Sequence, residues 1–272
     1  MTMLEARNIL APISGIPGAQ LDILEVFSEI ESTNSYLLDQ PSPPPGRFRV
    51  ALADHQTAGR GRLDRTWQSP PSSGLCLSMA YTFRSVPDKL PSLTLALGIG
   101  VASALERLGI SGIGLKWPND IIADGGKLGG ILTEVQNGTN DSVTVVTGIG
   151  LNVDLPDPMQ TLNEPSWTNK IVDLKRCTGD PPSREKLSAV IIESLFDCMV
   201  RFESDGFVPF QDDWERYDWL EGKRVIVDMP DGRYSGVADG VDTDGALIMQ
   251  TTEGRHRIIS GSITLPDGPD DA

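Results

Sequence analysis

The sequence holds one short run in which charged and flexible residues alternate, Gly-Arg-Gly-Arg at residues 59–62. The thirteen residues around it, 55–67, carry three arginines, two glycines, Gln56 and Trp67. A guanidinium group is a permanently charged planar fork that suits carboxylates and phosphates, and glycine lets the backbone approach a ligand closely or adopt a positive φ. An indole can stack on a base or cover an apolar ligand surface. The run therefore predicts either an anion-binding loop or a solvated surface loop.

Two further stretches favour the anion-binding interpretation. Residues 116–120 read Lys-Trp-Pro-Asn-Asp, and residues 126–130 read Gly-Lys-Leu-Gly-Gly. Lys116 and Lys127 add cations, while Asn119 and Asp120 carry the hard oxygen ligands that Mg²⁺ prefers. On its own, the first stretch is equally typical of a buried tryptophan beside an Asn-Asp turn. Taken together, the three stretches predict one centre that handles a nucleotide.

Other nucleotide-binding and acyl-transfer motifs do not occur in the sequence. It contains no Gly-x-x-x-x-Gly-Lys-Ser/Thr loop, and no Gly-x-Gly-x-x-Gly run follows a strand-like segment. The Gly-x-Ser-x-Gly elbow of many hydrolases is also missing. A nucleotide would therefore bind through the three stretches above.

The composition sets the class of protein. The chain has 272 residues, a net charge of −15 and a pI of about 4.5, and so acidic a body is unsuited to coating DNA or RNA, which are bound through clustered cations. Three cysteines and two histidines are too few and too scattered for a disulfide framework or a four-ligand zinc site. Neither a signal-peptide pattern nor an apolar run of about 18 residues occurs. We therefore expect a cytoplasmic protein without a membrane span.

Strand and helix patterns supply the elements that position these stretches. Alternating apolar residues predict a strand at 48–54, which leads directly into the 55–67 loop. Apolar residues at three- and four-residue steps predict helices at 93–108 and 183–202. The other predicted elements are strands at 21–30, 75–83, 114–118, 121–123, 128–135 and 142–152, and helices at 35–39 and 212–219. From residue 223 short strands alternate with turns, which predicts a small β-barrel with strands at 224–227, 233–241, 246–250 and 255–259.

Five blocks of the sequence resemble the biotin–protein ligase family, in the family's order and over most of the chain, from about Leu21 to Leu265. The blocks are Glu-Ser-Thr-Asn at 31–34, Gln-Thr-Ala-Gly-Arg-Gly-Arg at 56–62 with Trp67, Lys-Trp-Pro-Asn-Asp at 116–120, Lys-Leu-Gly-Gly-Ile-Leu at 127–132 and Gly-Ile-Gly-Leu-Asn at 148–152. Each block alone is moderately specific, but five in register are hard to obtain by chance.

The resemblance implies an α+β fold in two domains. A catalytic domain with a mixed sheet flanked by helices is expected at 21–221, followed by a small C-terminal SH3-like β-barrel at 222–265. Residues 1–20 are expected to form an irregular lead-in and residues 266–272 an acidic tail.

The resemblance also implies a two-step ligase reaction. Biotin and ATP, with Mg²⁺, give biotinyl-5′-adenylate and pyrophosphate, and a lysine ε-amine in the biotin carboxyl carrier domain of an acyl-CoA carboxylase then attacks the mixed anhydride. Because a carboxylate and a triphosphate repel each other, fixed cations aimed at the developing charge are a main catalytic requirement. The family pattern implies that role for Arg60, Arg62 and Lys127, and it implies that Asp120 lies near the metal.

Substrate-binding residues follow from the same resemblance. Those implied for biotin are Ser32, Thr33, Asn34, Gln56, Gly59, Arg60, Gly61, Arg62, Trp117, Lys127 and Gly130. Those implied for the nucleotide are Arg62, Arg65, Trp67, Lys116, Asn119, Asp120 and Asn152. No covalent enzyme intermediate is implied, so Cys76, which lies in a predicted strand, is expected to be buried and without a catalytic role.

The sequence departs from the family pattern at Asp64, where the family often has glycine. Aspartate tolerates left-handed φ better than most residues, so the turn can form, although a negative charge is added near the anion site.

Only 31 residues precede Ser32, about half of a helix-turn-helix domain, and we therefore expect no DNA binding. Two alternatives remain: an acyl transferase similar to lipoate ligases, whose Val-x-His-Asp block is missing here, and a non-enzymatic adaptor built on residues 223–265.

Overall fold

A mixed sheet forms the frame of the N-terminal part of the chain in the computed structural model, which describes residues 3–136, 142–156, 170–229 and 232–266. The sheet has the strand order β1-β2-β3-β7-β6-β5-β4. Its strands are β1 Leu21–Phe27, β2 Phe48–Ala53, β3 Gly74–Phe83, β4 Ile113–Lys116, β5 Asp120–Ala123, β6 Gly126–Gln136 and β7 Val143–Asn152. β1 and β2 are parallel, and the other neighbouring strands are antiparallel. The predicted α+β class with a mixed sheet is confirmed.

Helices cover both faces of this sheet. They are α1 Ala6–Leu10, α2 Gly15–Gln20, α3 Thr33–Asp39, α4 Leu93–Arg107, α5 Leu174–Thr178, α6 Arg184–Asp205 and α7 Gln211–Tyr217. Successive strand residues face opposite sides: Val50 belongs to the core that includes α4 and α6, whereas Ala51 packs in a smaller cluster with Leu37 of α3. α4 lies against β4, where a Cβ at Gly98 would be in ordinary contact with Leu115 at 3.4 Å. None of the helices within the described ranges is both long and apolar enough to cross a membrane.

The N-terminal lead-in, expected to be irregular, contains the two short helices α1 and α2. Leu4 and Ile9 are buried, with 6% and 0% of their surface exposed, and the backbone N–H of Leu4 donates to a carboxylate oxygen of Asp54 at 3.3 Å. Helices of five and six residues are too short to show a readable apolar periodicity, so the sequence pattern does not reveal them.

The C-terminal part forms a second, antiparallel sheet with the order β11-β10-β9-β8-β12. Its strands are β8 Arg224–Met229, β9 Gly232–Val241, β10 Leu247–Thr251, β11 Gly254–Ile258 and β12 Ser262–Thr264. Within the described residues β11 and β12 each pair with one neighbour and not with each other, so a closed SH3-like barrel is not confirmed. The predicted acidic tail lies outside the described residues from residue 267 onward.

Candidate active site

A cavity that opens to solvent lies on the α3 side of the N-terminal sheet. Its walls come from the start of α3, the 55–67 loop, strands β3, β6 and β7, the segment 116–120, and Gly261 with the first residues of β12. Most of the predicted site residues line it: Ser32, Thr33, Asn34, Gln56, Arg60, Gly61, Arg62, Arg65, Trp67, Lys116, Trp117, Asn119, Asp120, Lys127 and Gly130. The structure therefore brings the three stretches singled out in the sequence to one place.

Two predicted site residues, Gly59 and Asn152, are not part of the cavity wall. The amide of Asn152 donates to the carbonyl oxygens of Val172 and Lys127 at 3.0 and 3.4 Å, so it holds the backbone that carries Lys127. A Cβ at Gly59 would lie 2.5 Å from the carbonyl oxygen of Trp67, so only glycine fits where the two ends of the loop meet. Both residues support the wall from outside the cavity.

The 55–67 loop closes on itself. The backbone N–H of Trp67 donates to the carbonyl oxygen of Gly59 at 2.9 Å. At the tip of the loop Leu63 and Asp64 both have left-handed backbones, with φ of 55° and 57°. Asp64 thus adopts a conformation that glycine adopts more readily, in line with the tolerance of aspartate for this region.

One end of the cavity is uncharged and rich in hydrogen-bonding groups. The backbone N–H of Thr33 donates to Oε1 of Gln56 at 2.8 Å, and Oγ1 of Thr33 lies 2.7 Å from Oγ of Ser78. The Ser78 hydroxyl donates in turn to Oδ1 of Asn34 at 2.6 Å. These four side chains come from α3, the loop and β3, and they suit a ligand that has amide-like donors and acceptors.

The other end of the cavity is cationic. Nζ of Lys127 lies 3.1 Å from one carboxylate oxygen of Asp120, and Nζ of Lys116 lies 3.8 Å from the other. The guanidinium of Arg62 donates to Oδ1 of Asn119 at 3.2 Å. Burial lowers the pKa of Arg62, with a partial offset from Asp120, but an arginine stays charged at neutral pH. Three cations thus face one carboxylate, which suits an anionic ligand in a chain of net charge −15.

Asp120, expected to lie near Mg²⁺, has an ammonium group against each of its oxygens. A divalent cation at this carboxylate would be repelled by both lysines. The described residues also contain no group of three or more His, Cys, Asp and Glu side chains able to hold a metal. The arrangement does not fit a protein-held Mg²⁺, and an Mg²⁺ ion would instead be held largely by phosphate oxygens and water, as is common for this ion.

Lys116 and Trp117 connect the cavity to the C-terminal sheet. Nζ of Lys116 donates to the carbonyl oxygen of Ile263 at 3.0 Å, and Nε1 of Trp117 donates to that of Gly245 at 3.0 Å. Both side chains are buried, with 3% and 2% of their surface exposed. The two residues therefore fix the C-terminal segment against the cavity in addition to lining it.

The indole of Trp67 forms a flat wall against strand β7. A Cβ at Gly150 would lie 2.5 Å from Cε2 of this indole, so the ring rests directly on the strand backbone. Nζ of Lys127 is 6.0 Å from the ring centroid. The ring thus lies between the sheet and the cationic end of the cavity.

Several wall residues were not predicted, and most of them lie on strands: Cys76, Leu77, Ser78, Ile131, Leu132, Gly148, Ile149, Gly150, Gly261, Ser262 and Ile263. The strand register pairs Ser78 with Gly148 and Cys76 with Gly150, which places these four residues on the cavity face. Period-two alternation alone indicates that Cys76 and Ser78 share a face, but a single sequence does not reveal which distant strand lies beside them.

Cys76 lies in the cavity wall, yet it is expected to be unreactive. Only 2% of its surface is exposed, and burial raises the pKa of its thiol to about 11, so roughly one thiol in ten thousand is ionised at pH 7. We expect iodoacetamide to label the half-buried Cys177 of the native protein well before Cys76, as measured by peptide mass spectrometry, and to label both after denaturation. Equal labelling of the two native thiols would contradict this account.

Comparisons with known proteins agree with the geometry. The model of the biotin/lipoate A/B protein ligase family matches residues 26–152, and that of the biotin protein ligase C terminal domain matches residues 222–265. The bifunctional ligase/repressor BirA of Escherichia coli is 32% identical over 251 residues, which cover 91% of this chain and 74% of that protein. The biotin–[acetyl-CoA-carboxylase] ligase of Mycobacterium tuberculosis is 32% identical over 244 residues, or 87% and 86% of the two chains.

A solved structure shows the same fold. The biotin protein ligase from Aquifex aeolicus in complex with biotin and ATP superposes with a TM-score of 0.71 at 27% identity, over 90% of this chain and 97% of that one. The sequence identity to relatives, the two family matches and the shared fold lead to one conclusion: the chain belongs to the biotin protein ligase family.

Proposed function

We propose that this protein is an ATP-dependent biotin–protein ligase. The observation that carries the proposal is the cavity whose uncharged, hydrogen-bonding end leads to a cationic end. Biotin has the same polarity, with a neutral ureido ring at one end and a carboxylate at the other. The family membership supports this choice, and the match of residues 222–265 to a biotin protein ligase domain favours it over lipoate transfer.

In the proposed first step, a carboxylate oxygen of biotin attacks the α-phosphorus of ATP. A new O–P bond forms, the bond to the leaving pyrophosphate breaks, and biotinyl-5′-adenylate remains. Lys127 and Arg62, at the cationic end, offset the repulsion between the two anions. Thr33, Gln56 and Ser78 hold the ureido ring, and Asn119 orients Arg62 through the hydrogen bond between their side chains.

In the proposed second step, a neutral lysine ε-amine of the acceptor attacks the carbonyl carbon of the adenylate, and AMP leaves. We propose that the acceptor is the biotin carboxyl carrier domain of an acyl-CoA carboxylase, because two of the relatives are named as ligases for acetyl-CoA carboxylase. ATP enters with Mg²⁺ held by phosphate oxygens and water.

The proposal also covers the domain boundaries and the cellular location of the protein. We infer a catalytic domain at 21–221 and a C-terminal domain of SH3-like type at 222–265, whose β12 segment closes one side of the cavity. A cytoplasmic location is consistent with the free thiols of Cys76, Cys177 and Cys198, because reducing compartments keep thiols unpaired.

The test is transfer of biotin to a purified carrier domain. With biotin and MgATP, we expect the carrier domain to gain the mass of one biotinyl group and a carrier domain whose acceptor lysine is replaced by arginine to gain none. A folded protein that leaves both carrier domains unmodified would contradict the proposal.

Gly150→Ala is expected to lower biotin-dependent adenylate formation at least tenfold with little loss of fold. The new methyl group would lie 2.5 Å from the Trp67 ring and push the indole into the cavity, and overpacking of this kind costs ~1 to 3 kcal/mol. Gly98→Ala in α4 is the matched control, because its Cβ would meet Leu115 at an ordinary 3.4 Å. Equal rates of adenylate formation in Gly150→Ala and Gly98→Ala would show that the position of the indole is unimportant.

A further inference from the structure

Arg60, in the middle of the loop, is held by a carboxylate that was not predicted to belong to the site. Its two terminal nitrogens donate to the two carboxylate oxygens of Glu134 on β6, at 2.8 and 2.6 Å. This bidentate pair joins segments 74 residues apart in the sequence. Paired guanidinium and carboxylate groups of this geometry combine directional hydrogen bonds with charge attraction, so they fix relative position as well as adding energy.

Glu134 also holds the start of α3. Nδ2 of Asn34 donates to Oε2 of Glu134 at 2.9 Å and to the carbonyl oxygen of Leu132 at 3.2 Å. Asn34 has no room to move towards β7, because a Cβ at Gly148 would lie 2.4 Å from its Oδ1. Glu134 is therefore the shared acceptor of one donor from the loop and one from the helix.

These contacts extend into a directed chain that ends on Glu134. The Ser78 hydroxyl donates to Asn34 and has one proton to give. The Thr33 hydroxyl lies 2.7 Å from the Ser78 hydroxyl and donates to Oε1 of Gln56 at 3.0 Å, so its one proton faces both of these oxygens. The order of donation is thus Ser78 to Asn34 to Glu134, and a carboxylate, which only accepts, is the natural end of such a chain.

We propose that Glu134 is a positioning residue for biotin. Its carboxylate fixes Arg60 of the loop and Asn34 of α3 in the one arrangement that leaves the Thr33–Ser78 end of the cavity ready to bind the ureido ring. This inference rests on the proposed ligase function and adds a residue to it. The proposal also gives the two arginines different roles. Arg60 is neutralised by Glu134 and holds the loop in place, whereas Arg62 faces the reacting anions.

The two variants Glu134→Gln and Arg60→Ala test this division, singly and combined. Glutamine keeps the size of Glu134 but loses the charge and turns one acceptor into a donor. Each single variant is expected to weaken biotin binding, measured by calorimetry without ATP, by about tenfold or more. The rate of adenylate formation at saturating biotin is expected to stay within about threefold of the parent, because neither side chain touches the reacting atoms in the proposed arrangement. The double variant is expected to bind biotin no more weakly than the poorer single variant, because both changes break the same contact.

Asp22→Asn is the matched control. Asp22 pairs with Arg49 at 2.7 Å between β1 and β2, and its side chain is 25% exposed, as is that of Glu134. We expect Asp22→Asn to bind biotin like the parent, while the melting temperatures of all variants report on stability separately.

Three results would overturn the inference. The first is an adenylate rate at saturating biotin that falls a hundredfold or more in Arg60→Ala, which would make Arg60 a cation that acts on the substrates. The second is a double variant whose fold loss of biotin affinity equals the product of the two single losses. The third is parent-like biotin affinity in Glu134→Gln. A parent protein that neither binds biotin nor makes adenylate would instead contradict the proposed function itself, so the two failures are distinguishable.

Discussion

Replacement of Lys127 by alanine is expected to slow biotinyl-adenylate formation by about 10²- to 10³-fold and to weaken biotin binding. The ammonium group stands at the cationic end of the cavity, where the carboxylate of biotin and the α-phosphate of ATP are proposed to meet, and one preorganised donor at developing charge is worth ~3 to 4 kcal/mol. Asp120 increases this loss of rate. Its carboxylate pairs with Lys127 at 3.1 Å, and without the ammonium group its negative charge would repel the two anionic substrates more strongly.

Charge and geometry can be separated at this position. Lys127→Arg keeps the charge but replaces a compact ammonium group by a wide planar fork, and we expect it to impair adenylate formation as well. Calorimetry with biotin and a burst assay for adenylate measure the two effects independently. Lys170→Ala is the control, because Lys170 pairs with Asp124 on the surface and is about half exposed. If Lys127→Ala bound biotin and made adenylate like Lys170→Ala, the proposed role of Lys127 would be wrong.

Arg62→Ala is expected to retain the fold and to lose adenylate formation by two or more orders of magnitude. Among the residues that the structure describes, the guanidinium has one side-chain hydrogen bond, to Asn119 at 3.2 Å, so the loss of stability should be at most ~1 kcal/mol. The charge, in contrast, is one of the few that can offset repulsion between two anions at this end of the cavity.

Pyrophosphate exchange and thermal unfolding of the same sample separate these two effects of Arg62→Ala. Arg233→Ala provides a matched arginine variant, because Arg233 forms an exposed ion pair with Asp228 on the C-terminal sheet and such pairs contribute little. Near-normal exchange by Arg62→Ala would remove Arg62 from the proposed mechanism.

The parts of the site that lie in continuous stretches were predictable from the sequence. The Gly-Arg-Gly-Arg loop, the Lys116–Asp120 block and Lys127 carry their chemistry in adjacent residues, and the structure places all three at one cavity. The long helices and most strands were also predictable, because their apolar periodicity extends over many residues. The left-handed backbone at Asp64 agrees with the expectation that aspartate can form the turn that the family often builds with glycine.

The parts that depend on long-range pairing were not predictable. Glu134 looks like an ordinary strand residue, and only the fold brings it to Arg60 at 2.6 Å. Gly150 lies in the 148–152 block of the family resemblance, but the contact between Trp67 and this glycine depends on the register of β7 within the sheet. The ion pairing of Asp120 with two lysines likewise depends on how β4, β5 and β6 lie together, and neither the residue types nor the family pattern reveals it.

Biotin-dependent exchange of labelled pyrophosphate into ATP tests the central claim most directly. Adenylate formation is reversible, so a ligase of this kind incorporates label only when biotin, ATP and Mg²⁺ are all present. We predict rapid exchange with biotin, background exchange without biotin or with lipoate in its place, and loss of exchange in Lys127→Ala. Three results would contradict the account: exchange at the same rate without biotin, faster exchange with lipoate than with biotin, and no exchange in a folded sample supplied with Mg²⁺.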